Sequence, residues 1–263
     1  MSWVPEGLDQ RKPSAARLYD YLLGGGHNFA ADRELAKKFL RAQPNARTIA
    51  RLNRAFLRRA VLFMAGSGIR QFLDLGSGIP TVGNVHEIAQ KAAPDAHVVY
   101  VDFEEVAVAH SRLILEQNPR AVIIQEDMSD PAAVLTAARE SGLIDFSQPV
   151  GLLTVGVFHF VPPQAGPKAI VAAYRDAVPE GSHLAFSQFT QDLQPGETAG
   201  AVEVMKESQN PMFPRTKDEI EGFFGGFELV EPGIVPLPLW RPDGPNLDDP
   251  DKAGIYAAVG RKV

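Results

Sequence analysis

From residue 70 to residue 189, short apolar runs alternate with longer amphipathic segments, and nothing else in the chain restricts its fold as much. The apolar runs fall at 70–75, 97–102, 121–125, 149–156 and 183–189, with helical periodicity at 84–93, 104–117, 131–140 and 166–178 between them. A strand, a helix and a second strand form a parallel pair through a right-handed crossover. The repeat therefore predicts an α/β fold whose parallel sheet carries helices on both faces.

The flanks follow other rules. Residues 198–208 and 216–224 have helical patterns, Phe227 to Val230 reads as a strand, and Pro232 to Pro250 is rich in proline and turn residues. A last strand over Gly254 to Val259 would complete a hairpin-like sheet edge. Before residue 69 the pattern is helical. Pro13 and Ser14 open a first helix that stops at Gly24-Gly25-Gly26. A second runs to Pro44 with Asn28 as its expected cap, and a third, from Asn45 to Ala65, puts Ile49, Leu52, Phe56, Ala60 and Phe63 on one face. The expected organisation is an N-terminal helical cap over 1–68 and an α/β domain over 69–263.

Composition removes several function classes. The net charge is −6 and no segment concentrates Lys and Arg, which disfavours nucleic acid as an obligate partner. There is no cysteine, so disulfides, thiolate metal sites and thiol nucleophiles are excluded, and no His/Asp/Glu cluster has ligand spacing. Val150 to Val161, the most apolar stretch, is too short to cross a bilayer as a helix. Met1 to Pro13 lacks a basic-then-apolar leader. A cytoplasmic protein without a membrane partner is expected.

Open sheets of this type bind ligands at the carboxyl ends of their strands, near the point where strand order reverses. The first strand ends in Asp74-Leu75-Gly76-Ser77-Gly78, a turn in which bare backbone and a helix start can meet a nucleoside-like molecule. The second ends at Asp102, which either accepts from both hydroxyls of a ribose or caps the helix after it. The third ends in Glu126-Asp127-Met128, where Asp127 either accepts from an adenine amine or is a turn acid ahead of Asp130-Pro131. The fourth ends in Gly156-Val157-Phe158-His159-Phe160-Val161.

These motifs, in this order, resemble those of class I S-adenosylmethionine-dependent methyltransferases. Ala16 to Gly25, Asn28 to Asp32 and Asn53 to Arg59 are similar to a bacterial S-adenosyl methyltransferase family long catalogued as a domain of unknown function. The resemblance spans essentially the whole chain and implies a Rossmann-like, mostly parallel seven-stranded sheet with S-adenosylmethionine as cofactor. It implies that Asp74, Gly76, Ser77 and Gly78 hold the methionine part and ribose, and that Asp102 takes the ribose hydroxyls. Phe103 would pack on the adenine, Asp127 and Met128 would read its edge, and the Gly156 backbone would meet the methionine amine. Where many relatives have a third glycine this chain has Pro80, so Thr81 or Asn84 would supply polar contacts or cap the next helix.

Methyl transfer from a sulfonium needs alignment more than acid–base chemistry. A base is required only for an acceptor protonated at working pH; His159 is the first candidate, followed by Tyr21 and His27. His159 has a second reading as a core-edge histidine bonded to backbone. The helical cap is expected to lie over the cofactor and wall the pocket of a small-molecule acceptor, with Arg17 or Tyr21 at the methionine carboxylate. Arg51, Arg54, Arg58 and Arg59, on one side of the third helix, either bind an acidic acceptor or, as the favoured reading, form a solvated basic face. Two other readings stay open: a protein that binds the cofactor without turnover, and an NAD(P)-dependent oxidoreductase. The oligomeric state and the acceptor's identity are not legible.

Overall fold

The computed structural model describes residues 4, 5, 7–80, 83–244 and 249–263. Three helices come first: α1 (Ala15–Leu23), α2 (Ala30–Ala42) and α3 (Ala46–Gly66). Ser14 caps α1 by accepting from the Arg17 amide, and Gly24 ends it at φ 87°. Asn28 does not cap α2. Phe29 holds the cap position, and the Asp32 carboxylate three residues on accepts from its amide at 2.8 Å. Asn28 is drawn back toward α1, donating to Asp20 Oδ2 at 2.8 Å.

The alternating part forms β1 (Gln71–Leu75), α4 (Val85–Ala92), β2 (His97–Asp102), α5 (Glu105–Leu115), β3 (Ala121–Gln125), α6 (Pro131–Glu140), β4 (Gly151–Val155), α7 (Pro167–Ala177) and β5 (His183–Phe189). The chain ends with α8 (Pro195–Met205), α9 (Lys217–Glu221), β6 (Phe227–Leu229), β7 (Val235–Pro236) and β8 (Ile255–Lys262). The sheet runs β3-β2-β1-β4-β5-β8-β6. Its first five members are parallel, while β8 is antiparallel to both β5 and β6.

The sheet has eight strands where seven were expected. The additional one is β7, two residues inside the proline-rich excursion that pair with β8 at Val235↔Ala257 and Pro236↔Tyr256. A proline cannot donate to a ladder, so a strand ending in one suits the margin of a sheet. Too short to show a period, β7 leaves no alternating pattern to read.

Alternation along the strands supplies two apolar layers. Phe72, Val98, Tyr100, Leu153 and Ala185 face the core shared with α1, α3 and α4. Their neighbours Leu73, Val99, Val101, Leu152 and Leu184 face the core shared with α6 and α7. Helices α1–α3 thus pack into the same apolar layer as one face of the sheet, through Leu18, Ile49, Phe56, Ala60 and Met64. Residues of α1 and α3 also share one cavity with residues at the carboxyl ends of β1, β2 and β4. Strand order reverses between β1 and β4, which opens a crevice there. Among the described residues no helix is long and apolar enough to cross a membrane.

Candidate functional site

The crevice is built on two glycines, one on each side of the reversal. Gly76, just past β1, has φ +69°, and a Cβ on it would lie 2.2 Å from Val157 Cγ2 in the loop after β4. Gly156, just past β4, has φ +76°, and its Cβ would lie 2.7 Å from Asn53 Nδ2 on α3. A side chain at either position would be strained in backbone; at Gly76 it would press on the loop after β4, and at Gly156 on the Asn53 side chain of α3. The Gly76 and Ser77 amides both donate to the carbonyl of Val101, at 2.8 and 3.0 Å, and bend the loop over β2.

Asp102, at the end of β2, locks this loop. Its Oδ2 accepts from the Gly78 amide at 2.7 Å and its Oδ1 from the Glu104 amide at 2.9 Å. Burial pushes its carboxyl up to about 6, against the pull of those amides. Asp74, at the tip of β1, is 6 % exposed, and burial raises it to about 7, opposed by the Arg54 guanidinium and reinforced by Asp102. Two carboxyl groups that burial holds above the ordinary carboxylate range therefore face one cavity, and Arg54 opposes the shift at Asp74.

The cavity continues from these acids beneath the N-terminal helices. Asp74, Gly76, Ser77, Gly78, Asp102, Phe103, Met128, Gly156 and His159 line it, as expected from the sequence. Phe103 is 52 % exposed and stands at the rim. His159, in a short 3₁₀ turn after β4, is buried between Phe160 and Phe189, with ring centroids 4.3 and 5.0 Å away. Burial and the Arg215 charge push it down to about 3, so its imidazole is neutral at physiological pH. Its Nδ1 has no hydrogen-bond partner among the described residues, so no backbone bond is made at that atom.

Other candidates are placed elsewhere. Arg17 is buried off the cavity in an ion-pair network, donating from Nε to Asp32 at 2.9 Å and also bonding Glu104 and the Lys12 carbonyl. Tyr21, one turn on, lies under the Arg47 guanidinium, 5.0 Å from its ring centroid. His27 stacks on His110 at 3.7 Å, and its amide is held by Asp20. Asn84 is the N-cap residue of α4, where Glu87 accepts from its amide at 3.0 Å. Asp127 is exposed and accepts from the Ser129 amide at 2.8 Å, while its neighbour Glu126 lines the cavity. Thr81 lies outside the described residues.

The arginines of α3 form a solvated face only in part: Arg51 and Arg58 are exposed, Arg54 and Arg59 are not. Arg59 is buried, donating to the carbonyls of Trp240 and Leu237 at 2.8 and 3.2 Å. Arg58 pairs with Asp243, and Arg54 lines the cavity, donating to the Gly83 carbonyl at 2.6 Å. Sequence reasoning also missed Tyr19 and Asn53. Asn53 Nδ2 donates to the Tyr19 hydroxyl at 3.3 Å and Oδ1 accepts from Ser187 at 2.7 Å, joining α1, α3 and β5 above the crevice. The only available signal was an asparagine on the otherwise apolar face of α3.

The family model described as S-adenosyl methyltransferase matches residues 1–263. Among solved structures, a candidate methyltransferase from Thermobifida fusca YX is 42 % identical with a TM-score of 0.93, covering 100 % of this chain and 99 % of its own. A DUF574 family protein from Streptomyces avermitilis MA-4680 is 38 % identical with a TM-score of 0.93, covering 97 % and 99 %. The fold extends to the N-methyltransferase NodS from Bradyrhizobium japonicum WM9 with S-adenosyl-L-homocysteine, at 14 % identity and TM-score 0.50, covering 94 % and 98 %. No curated protein matches the sequence. Neither a nicotinamide-dependent oxidoreductase nor a binding protein without turnover finds support among these relatives. The chain belongs to the S-adenosyl methyltransferase family, and its cofactor is S-adenosylmethionine.

Proposed function

We propose that the crevice over β1, β2 and β4 is the cofactor seat of a methyltransferase acting on a small-molecule acceptor. The observation that carries this reading is the Gly78 amide bonded to the Asp102 carboxylate at 2.7 Å on the wall of one cavity. The residues present suit an adenosyl group with an amino-acid tail. Asp102 keeps free lone pairs that would take ribose hydroxyls, Phe103 offers a ring at the rim, and Met128, just past β3, would border the base. The Ser77 hydroxyl has no protein partner among the described residues and is available, with Asp74 and the Gly156 backbone, to the methionine end.

When bound, the cofactor supplies an electrophilic methyl group on a sulfonium. The chain's part is to hold the acceptor in line and keep water out. Tyr19 and Asn53 fix the spacing between α1, α3 and the sheet; Phe160 and Phe189 close the inner wall. His159 offers an uncharged imidazole that can accept a hydrogen bond from an acceptor hydroxyl or amine. A cytoplasmic setting belongs to the same proposal, supported by a cysteine-free composition.

Calorimetric titration with S-adenosylhomocysteine tests the seat. Saturable one-to-one binding is expected, lost with Asp102→Ala while the circular dichroism stays native. Equal binding by wild type and variant would refute the assigned seat. Transfer of a labelled methyl group into a pool of cell metabolites then tests for an acceptor.

A further inference from the structure

Charge is distributed unevenly around the cavity. The ionisable side chains on its wall, apart from His159 and Tyr19, are Asp74, Asp102, Glu104, Glu126 and Arg54. The four acids stand at or just past the ends of β1, β2 and β3, and Arg54 is directed at Asp74 and the Gly83 carbonyl. In the sheet order β3-β2-β1-β4-β5-β8 this is one half of the crevice. The other half, over β4, β5 and β8, is walled by apolar side chains that include Leu22, Phe39, Ile49, Phe189, Met205 and Met212.

The side-chain oxygens of that second half are already engaged, which leaves uncharged groups such as the His159 Nδ1 to meet a ligand. The Tyr19 hydroxyl donates to the Ala50 carbonyl at 3.0 Å and accepts from Asn53, while Asn53 Oδ1 is taken by Ser187. Asn210 Oδ1 accepts from the Ala15 amide at 3.0 Å. His159 contributes a neutral ring. An ionised acceptor entering here would shed its hydration and meet no counter-charge on the wall, since Arg215 stands behind His159 with its guanidinium bonded to the Phe158 and Val161 carbonyls, whereas an apolar one would gain by leaving water.

We propose that the acceptor is an uncharged, largely apolar small molecule seated over β4, β5 and β8 beneath α1 and α3. This rests on the cofactor assignment above. It is tested on the full-length protein saturated with S-adenosylhomocysteine, by calorimetric titration with 2-naphthol, 2-naphthoate and 2-naphthylmethylammonium, which share a ring system and differ in charge. Naphthol is expected to bind at least about tenfold more tightly than either ion. Phe160→Ala should weaken naphthol at least about fivefold and leave S-adenosylhomocysteine affinity within about twofold. Met212→Lys should raise naphthoate above naphthol, and Phe160→Ala keeps the test decisive if that variant does not fold.

Naphthoate or the ammonium matching naphthol in the wild type, or no binding by all three, would overturn the proposal. Failure of the cofactor reading is a separate result. It shows as absence of binding in the S-adenosylhomocysteine titration, before any naphthalene is added.

Discussion

The Gly78 amide and the Asp102 carboxylate form one unit, 2.7 Å apart, so the glycine loop of the first strand and the acid of the second cannot move independently. Asp102→Asn keeps the side chain's size and an acceptor oxygen for Gly78. It removes the charge and turns a donor toward the Glu104 amide. The expected loss in S-adenosylhomocysteine affinity is about 10- to 100-fold, the scale of a hydrogen bond to a charged group. Isothermal calorimetry measures it directly, and an unchanged affinity would show that the carboxylate serves the loop alone.

Asp74 makes the stability of the ligand-free protein depend on pH. Its carboxyl sits at about 7 in the fold against 3.8 for the free side chain, so the folded state holds the proton more tightly than the unfolded one. Its contribution is fully present below the lower value and is lost as pH rises toward the upper. Exposed acids such as Glu34, lowered by Lys37, act in the opposite direction, so total stability is a poor readout. The difference between Asp74→Asn and wild type isolates the effect. It should grow in the variant's favour between pH 4 and pH 7 by on the order of 1.4 kcal/mol per pH unit at most, then level off. Urea unfolding at a series of pH values reads the slope, and a flat difference would contradict it.

Gly76 and Val157 test the contact across the reversal point. Gly76→Ala carries a left-handed backbone penalty of about 1–2 kcal/mol and a clash with the Val157 side chain. Val157→Ala in the same chain removes the methyl contacts at 2.2 and 3.4 Å and leaves the Cβ contact at 3.0 Å and the backbone penalty. A double-mutant cycle by urea unfolding should give a coupling of about 1–3 kcal/mol between the two sites. Additive effects would mean that the loops part without cost.

The parts of the site legible in the sequence are those fixed by strand order. Asp74, Gly76, Asp102 and Gly156 occupy strand ends, and in a parallel sheet every strand ends on the same side, so linear position gives spatial position. The phase of the cap helices is not encoded in that way. Tyr19, rather than Tyr21 two residues later, reaches the cavity because Leu18 and Leu22 turn that face of α1 into the core. Arg54 and Asn53 belong to a helix whose arginines look alike in sequence, yet each meets a different neighbour once α3 lies across the sheet. The same holds for Arg17: its positive charge is plain in the sequence, while its two acidic partners come from α2 and from the loop after β2.

Arg17 ties α1 to the proposed cofactor seat through those partners. It is 1 % exposed, between Asp32 and Glu104, and Glu104 in turn donates its amide to Asp102 and caps α5 at the Ala107 amide, 2.8 Å away. Arg17→Met would fill similar space and strand two buried carboxylates without a cation, at a cost of about 3–5 kcal/mol. Arg17→Lys keeps the charge but, as a point donor, cannot span Asp32, Glu104 and the Lys12 carbonyl together, so it should recover only part of the loss. Since Glu104 positions Asp102, the Met variant should also weaken S-adenosylhomocysteine binding at temperatures where it remains folded. Urea unfolding with parallel calorimetry separates the two effects: lost stability with unchanged ligand affinity would confine Arg17 to holding α1 in place.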